Sequence, residues 1–188
     1  MNAVIENIKN RRSVRIYKPD ALKTEHLSAI LEAATWAPSG HNGQSWHFTV
    51  IRNKGLIDLI SEKTKQWLAA QPADWIFTAF GKNPNFHIFY HAPAVVIVSG
   101  KKDAVSPVVD CCAAIENMVL AAESLDIGSC WIGLPYFLFN DKTASKEVIA
   151  KLNLPQGYEP NYCVTLGYKD GPKPKPQPRK DGIINFID

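Results

Sequence analysis

Three short segments of the sequence hold groups that could bind an anionic ligand carrying a heterocyclic ring. The first segment is basic and reads Arg11-Arg12-Ser13-Val14-Arg15. Guanidinium groups pair with phosphate oxygens two at a time, and a serine hydroxyl adds a further donor. These residue types suit a phosphate monoester, whereas the plainer alternative is a solvated basic surface, because basic clusters are common.

The second segment, residues 37–46, reads Ala-Pro-Ser-Gly-His-Asn-Gly-Gln-Ser-Trp and is predicted to be a loop. Its amide side chains, Asn42 and Gln44, can hydrogen-bond the edge of a heterocycle that alternates donors and acceptors. A plain capped loop is the alternative. The third segment, residues 131–135, reads Trp-Ile-Gly-Leu-Pro, and at Gly133 its backbone amide has no bulky polar side chain beside it.

Motifs of several other chemistries are absent from the sequence. There is no GxGxxG after a predicted strand, no GxxxxGK followed by Ser or Thr, no GxSxG and no HExxH. A helix would bring His87 and His91 together, but no further ligand pattern accompanies them, so no metal site is expected. The four cysteines form no CxxC pair and no regular ladder, so neither a disulfide framework nor a zinc site is expected.

Hydrophobic periodicity predicts the helices and strands that must position these segments. Thr24 is expected to cap a helix, and Ser106-Pro107 is typical of a helix start. A continuous apolar run over residues 94–98 predicts a buried strand. The predicted helices cover residues 2–10, 24–37, 56–70, 107–125 and 143–152, and the predicted strands cover residues 48–51, 94–98 and 161–168.

Two further regions are expected to be irregular. Residues 71–92 hold six aromatic side chains, which we interpret either as a lid over a binding site or as core and subunit contacts. Residues 169–188 form an arm whose alternating prolines favour an extended path. Its apolar tip, residues 182–187, is expected to add an edge strand, docked on the same chain or on a partner subunit.

Composition and charge exclude several classes of protein. The chain has 188 residues, 46% hydrophobic and 21% charged, so it is not intrinsically disordered and is expected to form one domain. The uncharged stretch over residues 127–140, which contains two glycines and a proline, is too short to span a membrane, and no signal peptide is recognised, so a cytoplasmic location is expected. The net charge of +3 is concentrated near the two ends, without the long aromatic-interleaved stripe that would indicate nucleic-acid binding.

In order and spacing, these segments resemble the nitroreductase family of flavoenzymes. The basic segment, residues 11–15, is similar to the opening phosphate motif of that family. Residues 37–48 are similar to its loop, usually APSxxNxQPWxF, and residues 128–133 resemble the stretch that passes the flavin ring. Leu166-Gly167-Tyr168 with Arg179 resembles its C-terminal end.

The resemblance covers residues 7–187, apart from a gap in the aromatic stretch, and it implies a fold and an activity for the whole chain. The implied fold is a single α+β domain over residues 1–188, with a central, mostly antiparallel sheet flanked by helices and an extended C-terminal arm. The implied protein is an intertwined homodimer with FMN at the subunit interface. It would transfer hydride from NAD(P)H through the flavin to a small acceptor such as a nitroaromatic, a quinone or an enone.

Two alternatives stay open beside this reading. The first keeps the FMN-binding fold but performs a specialised flavin reaction, such as dehalogenation or dehydrogenation. The second is a non-enzymatic anion-binding protein that uses the two basic ends. In the flavin readings no catalytic side chain is expected, because hydride chemistry belongs to the cofactor and the protein supplies orientation and electrostatics.

By matching position, the resemblance also implies which residues contact the cofactor. The basic segment would hold the phosphate and the carbonyl edge of the ring, and Arg179 would close on the phosphate. The loop would line the ring from the other subunit, and the Gly133 amide would bond the flavin nitrogen that accepts hydride. The implied contacts are Arg11, Arg12, Ser13, Arg15, Pro38, Ser39, Gly40, Asn42, Gln44, Ile132, Gly133, Leu134 and Arg179.

The sequence departs from the family pattern in the loop and after the first strand. Ser45 stands where the family usually has proline, and this change is expected to loosen the loop. His41 is an unusual polar residue beside the ring. A further flavin contact is expected from Gln66 or Gln71, between which the spacing does not choose.

Overall fold

Four strands form an antiparallel sheet in the computed structural model, which describes residues 2–187. They are β1 Trp46–Ile51, β2 Ala94–Lys101, β3 Ile127–Ile132 and β4 Tyr158–Tyr168. The order across the sheet is β1-β2-β4-β3, so β1 and β3 form its opposite edges. Each neighbouring pair is antiparallel, which places the start of β1 and the end of β3 at the same end of the sheet.

Helices flank this sheet, and several of them begin or end for identifiable reasons. The third helix starts where the Asn53 side chain accepts a hydrogen bond from the Leu56 amide, and the fifth has Pro107 in its first turn. The last ends at Asn153, which adopts a left-handed conformation. Within the described residues the α-helices are α1 Ala3–Asn10, α2 Thr24–Thr35, α3 Lys54–Ala69, α4 Thr78–Lys82, α5 Pro107–Ser124, α6 Pro135–Asn140 and α7 Lys146–Leu152.

The hydrophobic core lies on both faces of the sheet. Val96 and Val98 of β2 belong to the apolar cluster that includes α2 and α5. Val95 and Ile97, which alternate with them, belong to the cluster that includes α3, α6 and α7. Because β2 is buried on both faces, its sequence is a continuous apolar run rather than an alternating one.

The structure confirms the predicted α+β class and the flanked, antiparallel sheet. It also contains elements that were not predicted, among them β3, α6 and α4, which lies within the stretch expected to be irregular. The strand β3 includes Gly128 and Ser129, which obscure its pattern, and α6 follows Gly133 so closely that the region resembles a loop in sequence. Thr24 does not cap its helix: it is the first helical residue, and the preceding Lys23 makes no side-chain capping bond.

The edge strand predicted over residues 182–187 does not form within this chain, and its docking on a partner subunit stays a prediction. The described residues of the arm beyond Lys169 pair with no strand, and the apolar side chains at its tip are exposed, Phe186 by 84%. One physical reason is that the edge of β3 is already occupied by the basic segment, which bridges from Ser13 to Ser129. Upstream of the tip, the prolines at residues 172–178 also remove amide donors from the arm.

Within the part of the chain that the structure describes, no helix combines the length and the apolar composition needed to cross a membrane.

Candidate functional site

The basic segment runs beside the outer edge of β3 and is joined to it by an isolated bridge. Ser13 forms a parallel bridge with Ser129, and the Val14 amide donates to the Ser129 carbonyl at 2.9 Å. The Tyr17 hydroxyl donates to the Val14 carbonyl and lies 2.8 Å from Thr165 Oγ1. Backbone pairing to the sheet therefore fixes the positions from which the arginine side chains project.

A cavity of about 510 Å³ opens beside this edge. Gly133 lines it, and a Cβ atom placed there would meet nothing within 4 Å. Arg15 stands at its rim, with the guanidinium carbon 5.7 Å from the centre of the Tyr90 ring. The lining residues are Arg15, Phe77, Phe80, Phe86, Ile88, Tyr90, Cys130, Trp131, Ile132, Gly133, Leu134, Tyr136, Phe137 and Tyr162. Arg15 is the charged side chain of this set, and the rest of the lining is largely apolar and aromatic.

The aromatic segment, residues 71–92, divides between the two roles expected for it. Four of its rings line the cavity: those of Phe77, Phe80, Phe86 and Tyr90. Phe89, in contrast, is fully buried in the core. The lid and core interpretations therefore each describe part of the segment.

Aromatic contacts tie this wall to the rest of the fold. Trp67 of α3 stacks on Phe137 of α6, with centroids 6.0 Å apart and planes at 6°. Trp75 and Phe77 both contact the ring of Phe137, at 5.0 and 5.7 Å between centroids. The aromatic wall of the cavity is thus packed against α3 and α6.

The basic segment also contains an unpartnered buried donor. Arg12 Nε is buried and has no hydrogen-bond partner among the described residues. Nearby, burial raises the pKa of the Cys130 thiol, while Arg15 and Ser13 act in the opposite direction. The thiol therefore stays protonated at neutral pH, and the local charge remains positive.

The loop of residues 38–45, which precedes β1, is held in a strained conformation. His41, Asn42 and Gln44 all have positive φ angles, between 45° and 53°. A left-handed residue other than glycine costs on the order of 1 kcal/mol, and such strain gathers at functional sites. The Gln44 amide donates to Ser39 Oγ at 3.0 Å, and Gln44 Nε2 donates to Asn42 Oδ1 at 3.4 Å.

The expectation that Ser45 loosens this loop is wrong. Ser45 is only 1% exposed, and its hydroxyl donates to Asp110 Oδ2 at 2.6 Å. Its carbonyl accepts from the Lys101 amide at 2.8 Å. A proline at this position has no hydroxyl that could donate to Asp110. The serine therefore adds a hydrogen bond that holds the loop.

The structure brings the predicted site residues together in two groups that lie apart from each other. Arg15, Ile132, Gly133 and Leu134 meet at the cavity on the β3 edge. The loop stands at the same end of the sheet but on the β1 edge, with β2 and β4 between. The two edges of the sheet are three strand spacings, or about 14 Å, apart. The loop and the cavity of one chain therefore do not enclose the same ring.

The sequence profile of the Nitroreductase family matches residues 8–168 of this chain. The chain belongs to the nitroreductase family. A crystal structure of a nitroreductase with bound FMN from Bacteroides fragilis is similar over 100% of both chains, with 37% sequence identity and a TM-score of 0.89.

Two curated relatives differ in the activity that they are named for. An iodotyrosine deiodinase from Thermotoga neapolitana is 28% identical over 201 aligned positions, covering 99% of this chain and 98% of that protein. An FMN reductase [NAD(P)H] from Bacillus subtilis is 29% identical over 171 positions, covering 89% of this chain and 66% of that protein. The likeness to both extends well beyond the short motifs.

The residues of this nitroreductase-family chain fit FMN, the cofactor that its fold family implies. The unpartnered Arg12 Nε offers a buried donor to a phosphate, and the space at Gly133 leaves its backbone accessible from the cavity. The arginines and Ser13 supply donors to an anion, while the apolar walls suit a flat ring.

Three other predicted contacts lie away from this cavity. Arg179 is on the exposed arm and makes no hydrogen bond or ion pair with any described residue. Gln66 Nε2 donates to Glu62, and Gln71 Nε2 donates to the Trp67 carbonyl. Neither glutamine lines the cavity beside Gly133.

The structure adds Asp58 to the histidine pair noted in the sequence, but the donor set is wrong for a metal. Ligand atoms of Asp58, His87 and His91 lie within 4.8 Å of one another. However, His87 Nδ1 accepts hydrogen bonds from the Phe89 and His91 amides, so the proton is on Nε2, which faces Asp58. A metal at Nε2 would require the opposite tautomer. The Asp58 carboxylate is also already paired with the Lys54 ammonium group.

Proposed function

We propose that the protein is an FMN-dependent oxidoreductase that uses NAD(P)H to reduce a small acceptor such as a nitroaromatic, a quinone or an enone. FMN, when bound, supplies the capacity to accept a hydride and deliver it. The observation that carries the proposal is the pairing of a cationic segment with an open, apolar cavity at Gly133. FMN-bound solved relatives and a curated relative named for NAD(P)H support the cofactor and the donor.

The chain's own residues would bind and orient the cofactor. Arg11, Arg12 and Ser13 would hold the phosphate, and Arg15 would face the carbonyl edge of the ring. The Gly133 amide would donate to the hydride-accepting nitrogen, with Ile132 and Leu134 on either side. Donors at this edge stabilise the negative charge that reduction places on the ring, because preorganised dipoles act strongly where water is excluded.

We further propose that the working unit is a homodimer with the cofactor site at the subunit interface. Pro38, Ser39, Gly40 and Asn42 would then line the ring bound by the partner subunit, with Gln44 supporting the loop. The separation of the loop from the Gly133 cavity supports this arrangement, since a second chain can supply the missing half.

Exposed apolar surface supports the same dimer. Trp36, at the end of α2, is 79% exposed, and the face of α1 exposes Val4, Ile5 and Ile8. The arm, with Arg179 on it, ends in exposed apolar residues. Several large apolar side chains exposed in this way are typical of a protein–protein contact, and an arm that wraps a partner would bring Arg179 to the phosphate.

The lining of the cavity favours an uncharged, flat acceptor. Its walls are aromatic, and Arg15, the one charged side chain among the described residues that line it, is assigned to the cofactor. An acceptor with a buried charge would lack a partner and would lose the energy of its hydration. Nitroaromatics and quinones avoid this cost.

A second candidate is a specialised flavin reaction such as removal of a halogen from an aromatic amino acid. The full-length match to a protein named iodotyrosine deiodinase favours it. Against it, none of the described residues that line the cavity carries a carboxylate or an ammonium group that could pair with a zwitterion. Turnover of a nitroaromatic measured beside turnover of a halotyrosine distinguishes the two.

The test is the visible absorption spectrum of the purified protein, recorded before and after anaerobic addition of NADH or NADPH. The proposal predicts the bands of bound flavin and their bleaching by one of the two donors, with recovery on addition of a nitroaromatic or a quinone. Bound flavin that stays oxidised would favour the specialised reaction. A colourless protein that also fails to bind added FMN would contradict the proposal and favour simple anion binding.

A further inference from the structure

A single buried carboxylate contacts both ends of the strained loop. Asp110 lies in the first turn of α5 and is 3% exposed. Its Oδ1 accepts from the Gly40 amide at 3.0 Å, and its Oδ2 accepts from the Ser45 hydroxyl at 2.6 Å. The two oxygens of one side chain thereby fix the separation between the entrance and the exit of the loop.

The loop needs such a restraint because its own bonds are few. Within it, the Asn42 amide donates to the Ser39 carbonyl and the Gly43 amide to the Gly40 carbonyl. These bonds close one short turn around the left-handed residues His41 and Asn42. The left-handed Gln44 lies beyond that turn, and its amide donates to Ser39 Oγ at 3.0 Å. A strained backbone persists only where its surroundings determine it, and Asp110 is the side chain from outside the loop that does so.

The carboxylate is itself well anchored. The Asp110 amide donates to the Ser106 carbonyl at 2.9 Å, in the first turn of a helix whose next residues enter the core. Cys111 and Ile115 of that helix are fully buried. The position of the loop is therefore coupled to the core and not only to the start of β1.

We infer that Asp110 is a positioning residue for the cofactor site, acting through Gly40 and Ser45 to hold Ser39 and Asn42 toward the flavin of the partner subunit. Asp110 contacts neither the cavity nor, in this arrangement, the cofactor. The inference rests on the proposed function, because it assumes that the loop lines an FMN site. Its sequence separation from the loop, 65 residues from Ser45, hides this role in the sequence.

The experiment compares four variants for FMN affinity, for the visible absorption and circular dichroism of the bound flavin, and for thermal stability without cofactor. Asp110→Ala removes both bonds, and we expect the Kd for FMN to rise about 10- to 100-fold with an altered flavin spectrum, as for loss of bonds to a charged group. Ser45→Ala keeps the Gly40 bond and should produce a smaller rise. Asp110→Asn should largely rescue affinity, because its amide can accept from Gly40 and donate to Ser45 Oγ.

Ser145→Ala is the matched control. Ser145 is also fully buried, and its hydroxyl donates to the Asp141 carbonyl at 2.7 Å, far along the chain from the loop. We expect it to lower thermal stability while leaving the Kd and the flavin spectrum at their normal values. If Asp110→Ala does not fold, the Kd for FMN and the flavin spectrum are compared between Ser45→Ala and Ser145→Ala instead.

The inference is overturned if Asp110→Ala and Ser45→Ala behave as Ser145→Ala does, losing stability with an unchanged Kd and spectrum. Failure of the proposed function gives a different result, since the unaltered protein would then bind no FMN. In that case amide hydrogen exchange still tests the positioning role. Exchange at Gly40 should be faster in Asp110→Ala than in Ser145→Ala, and equal rates would refute it.

Discussion

The two halves of the candidate site are built in different ways. The half on the β3 edge consists of regular backbone, with the basic segment paired to Ser129 and the cavity wall packed against α3 and α6. The half on the β1 edge is a short loop with three left-handed residues, held by Asp110. The first half is supported by many contacts, so single changes should affect ligand binding without unfolding it. The second depends on a few bonds, so its geometry should fail more readily.

The largest effect is expected at Gly133, in the half made of regular backbone. Gly133→Leu should leave the fold intact, because a Cβ there meets nothing within 4 Å, while its side chain would fill the space assigned to the flavin. We expect FMN affinity to fall by about 100-fold, as for the overpacking of a fitted site. Isothermal titration with FMN, beside a thermal melt of the apoprotein, measures the two quantities separately. Gly133→Ala should have a milder effect, and a Gly133→Leu protein with normal affinity would remove Gly133 from the site.

A smaller effect is expected at Arg12, whose buried Nε lacks a partner. Arg12→Ala should lower FMN affinity about 10- to 100-fold, since a hydrogen bond from a charged group is lost. Its apoprotein should be no less stable, because an unsatisfied buried donor is removed. Lys18→Ala is the matched control: it removes one exposed positive charge from the same region and should change affinity little. Equal losses of FMN affinity in the two variants would show that Arg12 contributes only a positive charge and not a specific hydrogen bond.

The smallest effect is a dependence of stability on pH that arises at His87, whose chain neighbours Phe86 and Ile88 line the cavity. Burial lowers the pKa of His87, and the neighbouring His91 and Lys54 act in the same direction while Asp58 opposes them. The folded protein therefore binds fewer protons than the unfolded chain as the pH falls through the ordinary histidine value of 6.5, and stability decreases on acidification. In His87→Asn this decrease should be smaller. Melts between pH 7.5 and 5.5 measure it, and identical slopes in the two proteins would count against the role of His87.

Much of the fold could be predicted because burial leaves a direct trace in the sequence. The apolar run of β2 and the proline at the start of α5 are local signals, and both elements are present. The strand β3 lacked such a signal: Gly128 and Ser129 are buried because β4 and the basic segment cover them, which is a long-range effect. The arm forms no edge strand on its own chain for the related reason that the basic segment already covers the edge of β3.

The site could be predicted only in part. The resemblance named Arg15 and Gly133, and the structure places both at one cavity. It gave no indication of Asp110, because a hydrogen bond across 65 residues has no local pattern, and it assigned Ser45 the wrong effect. The aromatic wall also depends on Phe137 of α6, an element that sequence periodicity did not reveal.

The most direct test of the account is complementation between two variants, each damaged in one half of the site. Gly133→Leu disables the cavity half, and Asn42→Trp, at an exposed loop position, disables the half offered to the partner. Each homodimer should lose most of its bound FMN on purification, because both of its sites are weakened. Co-expressed chains that pair at random should recover about a quarter of the normal FMN content, since half of the dimers would contain one intact site. No recovery in isolated heterodimers, or normal FMN content in either variant alone, would contradict a site shared between two chains.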